Sequence, residues 1–491
     1  MENIKDIDLI SIQETRDLVE KCYNAQKKFE KLDQDKTNEI VSSLARKLCE
    51  SAEYLGKLAC QTTKFGKWED KKTKNILASE ILNDYMKSFK TRGIINIDKA
   101  NKIYELAIPM GVVAGIIPTT NPTSTVIFKT LISLKAGNGI VFSPHPRALE
   151  CILKTVEIIK EELDRLGCDT NLVGCISNPT MEATDVLMKH SKVAIILATG
   201  GAAMVKSAYS SGKPALGVGP GNVPAYIDKT ANIEKAVADI FCSKTFDNGT
   251  ICASEQSIIT HSKVLDAVKN ACIEQGGYFL NPEESKKVEK ILIGPNGGFN
   301  PAIVGLSGKT LADMAGIKVP DYIRVILAPT DGVGKKYPFS IEKLTGILAF
   351  YEAKNFEHAK EIALELIRFA GMGHSSVIHA QDESRVIDYA SAMPVSRVLV
   401  NTPSSQGAVG YSTSLTPSFT LGCGSYGGNS TSDNISVFHL FNKLRIAYGV
   451  NDISKIRNFS KNNINYSSSN NIYDDEFINK IVREVIKALD N

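Results

Sequence analysis

The 491-residue chain has no CxxC pair, no block of five or six like charges and no apolar stretch long enough to cross a bilayer. Its ten cysteines, at positions 22, 49, 60, 151, 168, 175, 242, 252, 272 and 423, are scattered. Neither zinc-ligand spacing nor a disulfide framework is present, and no metal is expected. The 57 Lys and Arg against 54 Asp and Glu leave a net +3, which gives no electrostatic footprint for nucleic acid. The longest apolar stretches, Gly111 to Pro118 and Val193 to Ala198, fall far short of the ~20 residues of a membrane span. The N-terminus, MENIKDIDLISIQE, carries acidic residues where a signal peptide would place a basic and then an apolar region. A cytoplasmic protein is the expectation. With 43% apolar and 23% charged residues, the chain is an ordinary globular one of two or three domains, neither disordered nor collagenous.

Residues 9–90 read as helices, with Leu18, Cys22, Ala25 and Phe29, and then Ile40, Leu44, Leu48, Leu55 and Leu58, at helical spacing. From about Ile94 short apolar strands alternate with longer helices. Strands are expected at Ile103–Pro109, Gly111–Pro118, Gly139–Phe142, Leu172–Ile176 and Val193–Ala198, and helices at Ser124–Leu134, Ala148–Leu166 and Met181–His190. That alternation implies α/β architecture, a parallel sheet covered on both faces. A second βα-rich region follows Cys252, with strands at Ser257–Thr260 and Val325–Ala328 and helices at Lys263–Gln275 and Phe356–Phe369. Between Asn458 and Asn471 ten of fourteen residues are Asn or Ser, a linker composition that cannot bury a core. Beyond it, Phe477, Ile478, Ile481, Val482, Val485 and Leu489 fall on one stripe of a helix, which either docks on its own protein or binds a partner.

Two glycine patterns carry no chemistry. Gly422-Cys-Gly-Ser-Tyr-Gly matches GxGxxG and Gly217-Val-Gly-Pro-Gly half-matches it, but neither follows a strand and opens a helix with an acidic residue about twenty positions on, so both read as tight turns. Three other segments are more informative. Phe246-Asp-Asn-Gly-Thr-Ile-Cys252 sets a cysteine after a turn sequence, where backbone N–H groups and a helix N-terminus could lower a thiol pKa; a buried structural thiol is the alternative. Pro118-Thr-Thr-Asn121-Pro ends a strand and precedes a helix, the place where open α/β sheets bind ligands. Asn121 is either a turn residue or an amide offered to a developing oxyanion. Ala198-Thr-Gly-Gly-Ala-Ala is likewise a strand end running through glycines into a helix.

Together these residues resemble the aldehyde dehydrogenase superfamily, and within it the CoA-acylating branch, most of all the aldehyde dehydrogenase half of bifunctional aldehyde/alcohol dehydrogenases. The matching stretches are 116–135 (IIPTTNPTSTVIFKTLISLK), 141–148 (VFSPHPRA), 196–222 (ILATGGAAMVKSAYSSGKPALGVGPGN), 243–257 (SKTFDNGTICASEQS), 371–376 (GMGHSS), 401–407 (NTPSSQG) and 420–434 (TLGCGSYGGNSTSDN). The resemblance covers about residues 15–445 and is expected to leave out the iron-dependent alcohol dehydrogenase half.

It implies an aldehyde dehydrogenase-like α/β fold: a parallel-sheet cofactor domain at 1–240 with a small oligomerisation arm at about 89–109, an α/β catalytic domain at 241–400, a return segment at 401–450, and a linker with C-terminal helix at 451–491. It implies Cys252 as nucleophile, Asn121 as oxyanion donor and His374 as an assistant to a thiol proton or a structural histidine. Ile116, Ile117, Pro118, Thr119, Thr120, Asn121, Gly201, Gly219, Glu342 and Leu421 would form the NAD site, with Glu342 at the nicotinamide ribose. Ser143 and His145 would lie by the adenosine ribose, where Arg147 leaves NADP open. Coenzyme A would be the co-substrate and a short aldehyde the substrate, acetaldehyde ahead of propanal or succinate semialdehyde. Hydrolytic relatives carry a glutamate base where this chain reads Leu216-Gly-Val-Gly-Pro-Gly-Asn222, and no carboxylate lies between Lys213 and Asp228. Water therefore lacks a base at that position, and a thiol needs less help. The resemblance also implies a homo-oligomer, a dimer or tetramer, and a tail at 472–491 like the peptides that place such enzymes inside bacterial microcompartments by binding a shell protein. A cofactor-free cysteine acyltransferase and a non-catalytic shell-associated protein are the rival readings.

Overall fold

The computed structural model describes residues 6–294 and 298–451. They divide into a larger unit, ending at Arg445 and omitting Asp98–Ile103, and a smaller one of Asp98–Ile103 with the residues from Ile446 onward. The amphipathic tail expected at 472–491 lies outside the described residues. Among the described residues no helix is long and apolar enough to cross a membrane.

Two parallel sheets organise the larger unit. The five-stranded sheet runs in the spatial order Val173–Cys175, Gly139–Pro144, Val112–Ile117, Val193–Thr199, Ala215–Val218, and all four of its pairings are parallel. The central strand Val112–Ile117 is buried at every position, as its uninterrupted apolar run requires of a strand covered on both faces. From this strand the chain builds first toward Gly139–Pro144 and then crosses to Val193–Thr199, so the strand order reverses between Val112–Ile117 and Val193–Thr199. At such a switch point the two loops leaving the carboxyl ends diverge and open a crevice. The loops here are Pro118–Asn121 and Gly200–Gly201.

The helix Pro122–Lys135 begins at that crevice, with proline at its first position, where a missing N–H costs nothing. All fourteen of its residues are buried. Lys129 is accommodated inside because its ammonium donates to the carbonyls of Ile116 (2.7 Å) and Leu197 (2.8 Å), which ties the two strands at the switch point together.

The seven-stranded sheet runs Gly277–Phe279, Val325–Pro329, Ile347–Ala353, Glu255–His261, Val223–Ile227, Gly373–His379, Val395–Val400, again with every pairing parallel. It begins with Val223–Ile227, upstream of Cys252, although Pro224 interrupts that strand's pattern; Pro224 sits where the register with Glu255–His261 shifts, a place where a missing donor is tolerated. A third, three-stranded sheet places Ile103–Pro109 between Gly93–Asp98 and Phe441–Ala447. The segment Gly422–Gly427 is a close-packed turn: Gly424 has φ +57° and its N–H donates to the Thr431 carbonyl at 2.9 Å.

Candidate active site

A cavity of about 290 Å³ opens at the carboxyl ends of the switch-point strands. Pro118, Thr119, Thr120, Asn121, His145, Gly201, Gly219, Cys252, Glu342 and Leu421 all line it. Ile116 and Ile117 do not; they are 4% and 2% exposed inside their strand. Ser143 is also turned inward, its hydroxyl 2.7 Å from that of Thr184. Alternation along a strand sends neighbouring side chains to opposite faces, so sequence proximity to a strand end does not place every residue at the mouth. Thr125, Ile251, Val409 and Phe419 line the cavity as well; their types carry no signal that would single them out in sequence.

Cys252 stands on a tight turn between the three-residue left-handed run Asp247 (φ +48°), Asn248 (+51°), Gly249 (+75°) and the strand Glu255–His261. No helix starts there, so the thiol lacks the helix N-terminus that the turn sequence suggested. Burial, and after it the Glu342 carboxylate, push the thiol up to about 12. Its sulfur lies 3.2 Å from His374 Nε2. His374 is fully buried, its Nδ1 is 3.1 Å from the Ser375 hydroxyl, and burial together with nearby Arg397 lowers it to about 3. The imidazole is therefore neutral at physiological pH. With its proton on Nδ1, facing Ser375, Nε2 is free to accept the thiol's proton.

Gly221 packs directly behind this pair: a Cβ there would sit 2.0 Å from the Cys252 carbonyl oxygen, so no larger residue fits without moving the thiol. The Gly221 N–H donates to Glu342 Oε1 at 2.9 Å. Burial raises the Glu342 carboxyl to about 7.

Asn121 occupies the N-cap position of the helix Pro122–Lys135, yet its side chain makes no cap. Its Oδ1 instead accepts from Lys74 Nζ at 2.6 Å. Its Nδ2 lies 3.1 Å from Thr120 Oγ1 and 3.4 Å from the Thr250 carbonyl, beside the turn that carries Cys252. The backbone N–H of Cys252 favours its own thiolate, though burial outweighs it. The Asn121 amide and Cys252 line one cavity, and an amide N–H with the nucleophile's own backbone N–H is the type of donor pair that would stabilise a tetrahedral oxyanion.

Beneath the turn lies a buried ion cluster. Asp247 Oδ2 accepts from Lys71 (2.8 Å) and Lys74 (2.5 Å), and its Oδ1 accepts from the Lys67 backbone N–H at 2.7 Å. Burial alone would raise the Asp247 carboxyl, but the two ammonium groups outweigh it and hold it below the ordinary range. The approach depends on Gly66 (φ +72°), where a Cβ would lie 1.7 Å from Asp247 Oδ1.

The residues present fit a dinucleotide. A Cβ added at Gly201 or Gly219 meets nothing within 4 Å, so backbone lies open to the cavity. The helix Ala202–Tyr209 starts there without a side-chain cap, leaving N–H groups for an anion. Glu342 offers a carboxylate suited to a ribose diol.

Two parallel sheets and a glycine-lined switch-point crevice shared by a cysteine and an amide define an α/β protein of the dinucleotide-site type with a thiol in that site. The aldehyde dehydrogenase family profile matches residues 1–277, and the chain belongs to that family. It is 43% identical over 442 residues to the bifunctional aldehyde-alcohol dehydrogenase of Escherichia coli (strain K12), an alignment covering 89% of this chain and 50% of that one; the chain spans about half the length of such bifunctional relatives. The crystal structure of an acetylating aldehyde dehydrogenase from Geobacillus thermoglucosidasius superposes with a TM-score of 0.90 at 49% identity, covering 91% of this chain and 99% of that one. A propionaldehyde dehydrogenase from the Clostridium phytofermentans fucose utilisation bacterial microcompartment superposes with a TM-score of 0.81 at 30% identity, covering 89% of this chain and 97% of that one.

Two outcomes test the geometry. Because burial disfavours the thiolate, its fraction rises with pH: alkylation of Cys252 by iodoacetamide in the ligand-free protein should accelerate roughly tenfold per pH unit between 6 and 9, read by mass spectrometry. A plateau near pH 7 would mean a thiolate–imidazolium pair instead. Gly66→Ala should cost about 2–4 kcal/mol in urea unfolding, since strain at positive φ adds to displacement of a buried carboxylate; a change under about 0.5 kcal/mol would contradict the packing described.

Proposed function

We propose that the chain is a CoA-acylating aldehyde dehydrogenase: it oxidises a short uncharged aldehyde, acetaldehyde first, with a nicotinamide dinucleotide and coenzyme A to the acyl-CoA, and catalyses the reverse. The observation that carries this reading is a thiol and an amide lining one dinucleotide-type crevice in which the 216–222 stretch supplies no carboxylate.

Cys252 gives its proton to His374 and attacks the aldehyde carbonyl; the Asn121 amide and the Cys252 N–H hold the oxyanion of the thiohemiacetal. Thr199–Gly201, Gly219, His145 and Glu342 would hold the dinucleotide, which when bound supplies the hydride acceptor that leaves a thioester on Cys252. After His374 has lost the Cys252 proton to solvent, it takes the proton of the coenzyme A thiol as the sulfur attacks the thioester, and Cys252 leaves as a thiolate that the same proton restores to the thiol. Glu342 is the one carboxylate among the described residues that line the cavity, and one of its oxygens is engaged by Gly221. It is assigned to the ribose rather than to activating water. NAD is the expected dinucleotide, with NADP the alternative beside the exposed Arg147.

Among the described residues no Lys or Arg lines the cavity, and Ile251, Val409, Phe419 and Leu421 supply much of its wall. An aldehyde with a carboxylate tail would be desolvated there without a partner. This favours acetaldehyde and propanal over succinate semialdehyde.

The deciding assay mixes protein, acetaldehyde, coenzyme A and NAD, or NADP, and follows reduced nicotinamide together with acetyl-CoA. Reduction should require coenzyme A for turnover and vanish in Cys252→Ala, and kcat/KM for succinate semialdehyde should fall roughly tenfold or more below that for acetaldehyde. Acetate formed equally well without coenzyme A would overturn the reading, and product formation without nicotinamide would favour the acyltransferase.

The enzyme is further read as a homo-oligomer, with the 89–109 arm at its interface, and residues 472–491 as an address for a microcompartment shell. Deletion of 458–491 should leave kcat within about twofold while abolishing co-sedimentation with shells. Loss of soluble activity on that deletion would make the tail structural.

A further inference from the structure

The helix Trp68–Ile76 carries Trp-Glu-Asp-Lys-Lys-Thr-Lys, a composition that reads as a solvated face, yet Lys71 and Lys74 are each 2% exposed. The ammonium of Lys74 meets an acceptor for each of its three N–H groups: Asn121 Oδ1 at 2.6 Å, Asp247 Oδ2 at 2.5 Å and Thr250 Oγ1 at 3.2 Å. An ammonium can only donate. It therefore accepts only one orientation of the Asn121 amide, with Oδ1 toward Lys74 and Nδ2 away from it; the flipped amide would set donor against donor in a buried site. The group left beside the Cys252 turn is Nδ2.

Asp247 keeps Lys74 in place. It is shared with Lys71, whose ammonium also donates to the backbone carbonyl of Thr120 at 3.0 Å, and its backbone N–H is held by Asp70 at 2.7 Å. The cluster thus grips both walls of the crevice, the 118–121 loop and the 247–252 turn, from one helix.

We propose that Lys74 is a positioning residue of the oxyanion hole: it locks the Asn121 amide so that only an N–H donor faces the carbonyl attacked by Cys252. This rests on the reading of Cys252 as nucleophile and Asn121 as oxyanion donor. The three hydrogen bonds of Lys74 go to Asn121, Asp247 and Thr250, so its effect runs through Asn121.

Two reactions of the same thiol separate this role from a structural one. In acylation by p-nitrophenyl acetate the Cys252 sulfur forms the S–C bond, a tetrahedral oxyanion appears and p-nitrophenolate leaves. Alkylation by iodoacetamide displaces iodide with no oxyanion. Neither needs coenzyme A or nicotinamide. Asn121→Ala should slow acylation on the order of 100- to 1,000-fold, and Lys74→Met on the order of 10- to 100-fold. Both should leave alkylation within about threefold, and the double variant should be no more than about twofold slower than Asn121→Ala alone.

If Lys74→Met does not fold, Lys74→Gln, whose amide does not impose Oδ1, takes its place with the same expected ratio. Equal losses in acylation and alkylation, unchanged acylation, or effects that multiply in the double variant would each overturn the proposal. A wild-type protein acylated normally but inactive with aldehyde, coenzyme A and either nicotinamide would remove the proposed function and leave the clamp standing. A wild-type thiol that is not acylated at all would overturn both.

Discussion

The carboxylate of Asp247, shared between the ammonium groups of Lys71 and Lys74, is the interaction on which the site depends. Buried charges are tolerable only when counter-charges and hydrogen bonds offset their desolvation, and here one carboxylate serves two ammonium groups while Lys67, Thr250, Thr120, Asn121 and Asp70 supply further hydrogen bonds to the cluster. The geometry that results is stiff. It forces a left-handed run at Asp247 and Asn248, residue types that tolerate that region better than most, and it excludes any side chain at Gly66. In return the turn carrying the thiol and the loop carrying the amide are referred to a single helix, so their separation does not drift independently.

The sheets supply the setting for that cluster. Parallel strands buried on both faces leave their loops at one end, and the reversal of strand order beside Val112–Ile117 keeps two of those loops apart. The cavity follows from this topology before any side chain is chosen. Lys129 reinforces it from inside, bridging the carbonyls of the two strands whose loops diverge.

Within the cavity, electrostatics hold the thiol in reserve. Burial and the Glu342 carboxylate both favour the protonated form of Cys252, and the neutral His374 at 3.2 Å provides somewhere for the proton to go without a standing ion pair. A thiol kept neutral at rest reacts slowly with solvent-borne electrophiles and oxidants. Its reactivity then depends on a substrate carbonyl arriving between it and the Asn121 amide.

Much of this was legible in the chain itself, because the signals are local. Continuous apolar runs such as 112–117 and 193–198 ending in Pro or Gly mark buried parallel strands and their ligand-binding ends, and the Asp-Asn-Gly turn before Cys252 marks a special backbone. Those patterns singled out Asn121, Gly201 and Cys252, the resemblance to aldehyde dehydrogenases added Gly219 and Glu342, and all five line one cavity. Tertiary structure decided what depends on direction and on distant partners. It turned Ile116, Ile117 and Ser143 away from the cavity, began the second sheet with Val223–Ile227, upstream of Cys252, and set Cys252 before a strand rather than a helix. It also buried Lys71 and Lys74, whose sequence surroundings read as solvent-facing. A charge is worth burying only if its counter-charge lies within hydrogen-bonding reach, and Asp247 is more than 170 positions away from both lysines; no local pattern encodes that meeting, and only the folded chain brings it about.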